Sequence, residues 1–183
     1  METDEEEDLY WNSFLPIFFD RMTSVMRKDM TEEVKEYGLT SAHSVYLIGL
    51  YLQNGSTLVR LSRLLDMDAA NTTRVIRVLK EKGLVTDDRE SEHSKKYHIF
   101  LTEEGEKLAK RVMDKTMECN NRYMSNLSRE EILQVRNSLL KILRNMDPNL
   151  DEYMAYKYTN HFYTYLATRP GSTPFKKSRL DQD

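Results

Sequence analysis

The chain has 183 residues, 39% of them hydrophobic and 31% charged, with only six Gly and four Pro. That is room for one domain with extensions, and too few turn residues for an all-β fold. No apolar run approaches the roughly 18 residues of a membrane span, the start METDEEED has the wrong sign for a signal or transit peptide, and Cys119 is the one cysteine.

These features lead us to expect a cytoplasmic protein without an internal disulfide. The net charge of −3 includes six acidic residues within positions 2–8, and the remainder carries 27 basic against 24 acidic residues. Nucleic acid is therefore permitted as a partner, though charge alone does not argue for it.

Residues 1–8 read as an acidic disordered tail, followed by an N-terminal helix and linker over 9–39. Leu9, Phe14, Ile17, Phe18, Met22, Val25 and Met26 recur at helical spacing, and Pro16 should kink that helix or mark a restart. Tyr37-Gly38 is a break. Thr40 then caps a second helix with Val45, Ile48 and Leu52 on its buried face, closed by Gly55. Ser56 or Thr57 starts a short helix whose inner face holds Leu58, Leu61, Leu64 and Leu65.

After the tight connection Asp66-Met67, Asp68 caps a further helix that runs to Lys82 and stops at Gly83. Leu84-Val85 and YHIFL read as a two-stranded hairpin around a polar tip, DDRESEHSKK. Thr102 caps a long helix through Leu127, carrying Leu108, Val112, Met113, Met117 and Met124. Ser128 to Glu131 is a capping box, and Ile132, Val135, Leu139, Ile142 and Met146 then form a seam suited to another helix. Asp147-Pro148 stops it. Residues 150–166 read as one more helix, rich in tyrosine, within an extension spanning 148–170; 171–183 is a flexible tail.

The stretch DMDAANTTRVIRVLKEKGLV is the most informative. Thr72, Val75, Ile76 and Leu79 form one buried stripe. Ala70, Arg74, Arg77 and Glu81 lie opposite, with Asn71 and Thr73 on the flanks. A helix entering a major groove needs such a face: little bulk at its start, short polar groups for base edges, and arginines for guanine or phosphate. An ordinary solvated face also accommodates arginines. The short helix before and the hairpin after make the unit a winged helix-turn-helix over 40–101. Residues 57–100 hold nine basic and seven acidic side chains, which supports binding only weakly.

The order of these elements, with NTTRVIRVLKEKGLV and IFLTEEG, resembles the MarR family of transcription regulators over roughly residues 10–146. The resemblance implies a mainly α fold with a small β-hairpin wing, and a homodimer built from an N-terminal dimerisation helix and linker over 9–39 and long C-terminal helices over 102–147. It implies a repressor on a pseudo-palindromic double-stranded DNA operator, released by a small molecule that is commonly aromatic. Carried over by position, Ala70, Asn71, Thr73, Arg74 and Arg77 would contact DNA from the recognition helix, and Arg89, His93, Lys95 and Lys96 from the wing. There are two departures. His43 stands where glutamine is frequent, and His93-Ser94-Lys95 replace the wing's usual Asp-x-Arg. Met22, Met26, His43 and Met113 are the candidate ligand lining, although these methionines suit a dimer core equally well. The alternative function is a winged-helix dimer that has left DNA and serves as a protein-interaction or ligand-sensing module.

Other chemistry finds little support. His43, His93, His98, His161 and Cys119 are too scattered for metal-ligand spacing, and no phosphate loop, nucleophile elbow or acid-base carboxylate pair is present. No metal, cofactor or enzymatic activity is expected. Cys119 reads as a packed, inert thiol without an adjacent basic cluster. The tyrosines of EYMAYKYTNHFYTYL read as packing across a dimer, with stacking on a ligand or DNA as the other use. Lys176, Lys177 and Arg179 make the tail basic.

Overall fold

Side-chain caps set the helix starts in the computed structural model, which describes residues 15–91 and 97–159. Among these residues the order is α1 (Leu15–Glu32), a 3-10 turn (Lys35–Tyr37), α2 (Ser41–Leu52), α3 (Leu58–Leu65), α4 (Ala69–Glu81), β1 (Val85–Asp87), β2 (Ile99–Leu101), α5 (Glu103–Tyr123), α6 (Arg129–Met146) and α7 (Leu150–Thr159). This is the mainly helical, hairpin-winged architecture expected. Pro16 sits in the first turn of α1 as described, where its missing N–H costs no intrahelical bond. The acidic start and the basic tail lie outside the described residues.

Thr57 Oγ1 accepts the Arg60 N–H at 3.2 Å, Asp68 Oδ1 that of Asn71 at 2.7 Å, and Thr102 Oγ1 that of Gly105 at 3.1 Å. Each bond satisfies a donor that a helix start leaves open. Ser128 and Glu131 form the expected reciprocal box. At α2 the Thr40 N–H donates to Nδ1 of His43 at 3.2 Å, so an imidazole takes the place Glu or Gln usually holds in a capping box.

Helix α2 lies at the centre, touching α1, α3, α4, α5 and β2. It buries Ser44, Tyr46, Leu47, Ile48, Gly49 and Leu50; of the residues named for its buried face Ile48 is inside, while Val45 and Leu52 are half-buried. A helix surrounded by partners is apolar nearly all round, and its period is correspondingly blurred. The rest of the core comes from Leu61 and Leu64 of α3, Val75, Ile76 and Leu79 of α4, Leu84, Val85 and Ile99 of the hairpin, and Leu108, Ala109, Val112 and Met113 of α5.

The hairpin pairs Val85 with Leu101, Thr86 with Phe100 and Asp87 with Ile99. The strand expected over YHIFL begins only at Ile99. Before it, His98 is bracketed by Asp88, whose Oδ1 accepts the His98 N–H at 2.6 Å. Ser56 pairs with Ile99 from the other side and adds a third, one-residue strand that the sequence did not reveal. The long helix expected to reach Leu127 ends at Tyr123. Ser125 Oγ bonds the Arg122 carbonyl at 2.9 Å, the kind of local side-chain competition that ends helices.

The N-terminal half of α5 is firmly attached. Thr102 Oγ1 donates to the Gly83 carbonyl at 2.7 Å and the Thr102 N–H to the Leu84 carbonyl at 3.1 Å. The linker after α1 is fastened to the same helix: Arg111 donates to the Glu33 carbonyl at 2.7 Å and pairs with Glu36, and Tyr37 OH bonds Glu104. By contrast α1 and α6 have no fully buried residue. Ile17, Phe18, Phe19, Met22, Val25 and Met26 stand exposed along α1, as do Ile132, Leu133, Val135, Leu143 and Met146 along α6.

Candidate nucleic-acid interface

Helix α4 presents two unlike sides. Thr72, Val75, Ile76 and Leu79 are buried against the core, as its periodicity demands. Ala69, Ala70, Thr73, Arg74 and Arg77 are exposed. Thr73 Oγ1 is occupied by the Ala69 carbonyl at 2.8 Å. Arg77 Nε lies 3.9 Å from Glu81 Oε1, a loose surface pair worth little in water, and Arg74 pairs with no group among the described residues. Both guanidiniums are therefore available to a ligand. Asn71 differs from the flanking position expected of it: it is half-buried, and its Nδ2 lies 3.4 Å from the hydroxyl of buried Tyr46.

The connection into α4 is strained in a useful place. Asp66, the α3 C-cap, has φ 57°, a left-handed conformation that Asp tolerates better than most residues. It turns the chain between the two helices within two residues, so that Asp68 can cap α4. The cap carboxylate is occupied by the backbone, which removes part of its conflict with a phosphate.

At the base of the wing, Asp87 Oδ2 accepts from Lys80 Nζ at 2.8 Å and from Arg89 Nη2 at 2.7 Å. The Asp87 side chain is only 6% exposed. The Arg89 hydrogen bond, reinforced by Lys80, holds its carboxyl well below the usual carboxylate range. Arg89 also lies over the Tyr97 ring, 4.1 Å from its centroid. An Asp-x-Arg pair thus does exist, at the root of the wing rather than its tip. It holds Arg89 against the protein, in contrast to the reach expected of a groove-inserting side chain. His93, Lys95 and Lys96 lie outside the described residues.

Asp87→Asn should cost roughly 2 kcal/mol at pH 7, since it removes charge-assisted bonds from a nearly buried site. A carboxyl whose folded pKa is depressed contributes stability above its unfolded value, and loses it as pH falls towards the folded value. In urea unfolding the gap between wild type and variant should stay level from pH 6 to 8 and narrow below about pH 4. A gap constant down to pH 2.5 would exclude the ionic account.

The candidate ligand residues occupy dissimilar surroundings within one chain. Met22 and Met26 are exposed on α1, at 54% and 45%, whereas Met113 is buried at 1%. His43 is half-buried and engaged in the α2 cap; burial lowers its pKa from the ordinary histidine value.

Cys119 is buried, as expected, but not among apolar groups alone. Its Sγ lies 3.6 Å from Arg122 Nη2 and 3.7 Å from Asp29 Oδ2. The same Asp29 oxygen accepts Tyr123 OH at 2.6 Å and pairs with Arg122. Burial, then the bond to Asp29, pushes the Tyr123 hydroxyl pKa upward, while the Tyr123 hydrogen bond lowers that of Asp29. The packed thiol read from the sequence thus has a basic and an acidic neighbour. Arg122 at i+3 was a visible signal on a helix, whereas Asp29 comes from α1. Among the described residues no group of three or more His, Cys, Asp or Glu is placed to hold a metal ion, and no helix is long and apolar enough to cross a membrane.

No family model matches the chain. A curated relative, the HTH-type transcriptional regulator SarZ of Staphylococcus epidermidis, is 23% identical over 147 residues, covering 80% of this chain and 98% of its own length. A MarR transcriptional regulator from Methanosarcina mazei is similar in structure, with 25% identity, 72% and 88% of the two chains covered, and a TM-score of 0.59. Staphylococcus aureus MepR, solved in complex with DNA, matches at 23% identity over 71% and 94%, with a TM-score of 0.60. An organohalide-sensing regulator, RdhR, solved with 2,4-dichlorophenol bound, matches at 21% identity over 81% and 85%, with a TM-score of 0.61.

Proposed function

We propose that this chain, which resembles the MarR family in sequence and shares its winged helix-turn-helix fold, is a DNA-binding transcription regulator acting as a homodimer. The observation that carries the reading is α4: capped, anchored by a buried stripe, and offering two available arginines beside small residues. In this reading Ala70, Thr73, Arg74 and Arg77 face the major groove and Asn71 approaches it from the flank. The wing adds backbone contacts through Lys95 and Lys96, with His93 beside them, while Arg89 steadies its base.

The dimer is proposed from the apolar rows on α1 and α6. Rows of this size left open to water mark an interaction surface, and they lie on the helices that the family resemblance assigns to dimerisation. Repression is a further part of the proposal and follows from the family resemblance; release by a small aromatic molecule is supported by the relative solved with dichlorophenol. In this reading Met22 and Met26, exposed on α1, would meet the ligand at the dimer boundary, and Met113 and His43 would back the wall.

A second reading is favoured by one observation. Arg89 is held by Asp87 and Tyr97, so a dimer that binds a protein or small molecule without reading DNA also fits the wing.

The test is a salt titration on the DNA upstream of the chain's own gene, beside a scrambled duplex, with molar mass from light scattering. A dimer selective for the native duplex, with affinity falling steeply with salt, is expected. A folded dimer selecting no sequence from genomic fragments would favour the second reading, and a stable monomer would exclude both.

A further inference from the structure

Three hydroxyl and amide groups join α2 to the first turn of α4. Thr72 Oγ1 donates to the Asp68 carbonyl at 2.9 Å, Tyr46 OH meets Thr72 Oγ1 at 3.3 Å, and Asn71 Nδ2 meets Tyr46 OH at 3.4 Å. The chain ends on a carbonyl, which can only accept. Thr72 has one proton and directs it there, so at the next contact Tyr46 must be the donor. With its own proton used, the Tyr46 oxygen can accept only from an N–H of Asn71. The direction of every bond is thereby fixed, and so is the orientation of the Asn71 amide: its NH2 group, not its carbonyl, faces Tyr46.

One N–H is used in that contact. The second N–H and the carbonyl oxygen remain, and together they form the pair that recognises N7 and the N6 amino group of adenine. Asn71 also stands at the N-terminal end of α4, the part of a recognition helix that approaches base edges. Its backbone is pinned by the Asp68 cap, and Tyr46 is 1% exposed, so the anchor does not move with solvent. We infer that Tyr46 is a positioning residue that presets the Asn71 amide to read an adenine in each half-site. The inference rests on the DNA-reading proposal and adds to it a base and the residue that selects it. Presetting a polar side chain lowers the ordering cost of binding.

Selection from random duplexes, followed by sequencing, tests this with the full-length chain and three variants: Tyr46→Phe, Asn71→Ala and Thr72→Val. The wild type should enrich a half-site containing adenine at a fixed position. Tyr46→Phe and Asn71→Ala should each lose that preference by roughly tenfold at that position alone. Thr72→Val removes the acceptor of the Tyr46 proton, so the tyrosine can donate to the Asn71 carbonyl, turn the amide over and abolish the same preference. A purely structural role would instead weaken binding at all positions together. The inference is overturned if Asn71→Ala enriches the wild-type sequence unchanged, or if folded Tyr46→Phe or Thr72→Val keeps the adenine. Should Tyr46→Phe fail to fold, Thr72→Val decides. A wild type that enriches no sequence overturns the DNA-reading proposal as well, and that failure is visible before any variant is compared.

Discussion

Alanine at position 105 should lower the melting temperature of this chain by several degrees, although glycine-to-alanine changes inside helices normally stabilise. Gly105 lies in the first turn of α5, where helix propensity alone would favour alanine by about 1 kcal/mol. The surroundings reverse the sign. A Cβ built there would lie 1.9 Å from the Leu84 carbonyl oxygen and 2.9 Å from its carbon. That obstacle is backbone, itself held by the Thr102 N–H, so it cannot swing aside as a side chain would. Overpacking of this kind costs about 3 kcal/mol, which for a chain of this size is roughly a 6–12 °C fall in the thermal midpoint. Gly83→Ala is the control. It has φ 69° and nothing within 4 Å of the added carbon, so it should show only the milder strain of a left-handed alanine. A Gly105→Ala protein melting at or above the wild-type temperature would refute the close approach of α5 to the hairpin.

The second large effect concerns binding and should leave stability alone. Replacing Arg74 and Arg77 together by alanine should weaken specific DNA binding by at least about 30-fold, since a well-placed arginine contributes about 1–3 kcal/mol of discrimination. Neither side chain supports the fold: Arg77 meets Glu81 at 3.9 Å on an exposed surface, and Arg74 is exposed. Melting temperature and molar mass in solution should therefore stay within error. The salt dependence identifies what each arginine touches. If it meets phosphate, the slope of log affinity against log salt should flatten by about 0.9 per residue while selectivity is kept. If it meets a guanine edge, selectivity should collapse towards the non-specific level. Wild-type affinity in the double variant would remove α4 from the interface.

Much of this architecture was written in local patterns. Caps at Thr40, Thr57, Asp68, Thr102 and Ser128 each mark a helix start where the fold has one, because a cap acts within three residues of itself. The stripe Thr72–Val75–Ile76–Leu79 was legible for a similar reason: one face of α4 is buried and the other open, so its period is clean. Where several elements crowd one helix, as around α2, the period fails: Val45 and Leu52, named for its buried face, are only half-buried, while Tyr46, Leu47 and Leu50 are fully buried. Partners distant in sequence were invisible altogether. Nothing near Asn71 points to Tyr46, nothing near Cys119 points to Asp29, and Ser56 joins the sheet through a single residue that no alternation can announce. The Thr-x-x-Gly after the hairpin was legible as a family pattern, but its physical reason, a carbonyl where a methyl would stand, needed three dimensions. The partner of Arg89 was also not read from the sequence, although Asp87 stands only two residues earlier.

Helix α5 is also a beam joining two functions. Its 21 residues extend about 31 Å at 1.5 Å per residue. One end is fixed to the hairpin through Thr102 and Gly105; the other is clasped to α1 through the Asp29 carboxylate. With both ends fastened, the distance between the apolar row on α1 and the wing is set by a rigid length and not by a loop. A tilt of that beam by about 10° displaces its far end by roughly 5 Å, more than the 3.4 Å rise of one base pair. In a two-fold assembly the error doubles. If the proposed dimer forms on DNA, the spacing of its two recognition helices depends in part on a clasp some 30 Å from the wing, where one aspartate oxygen is shared among an arginine, a tyrosine and a thiol.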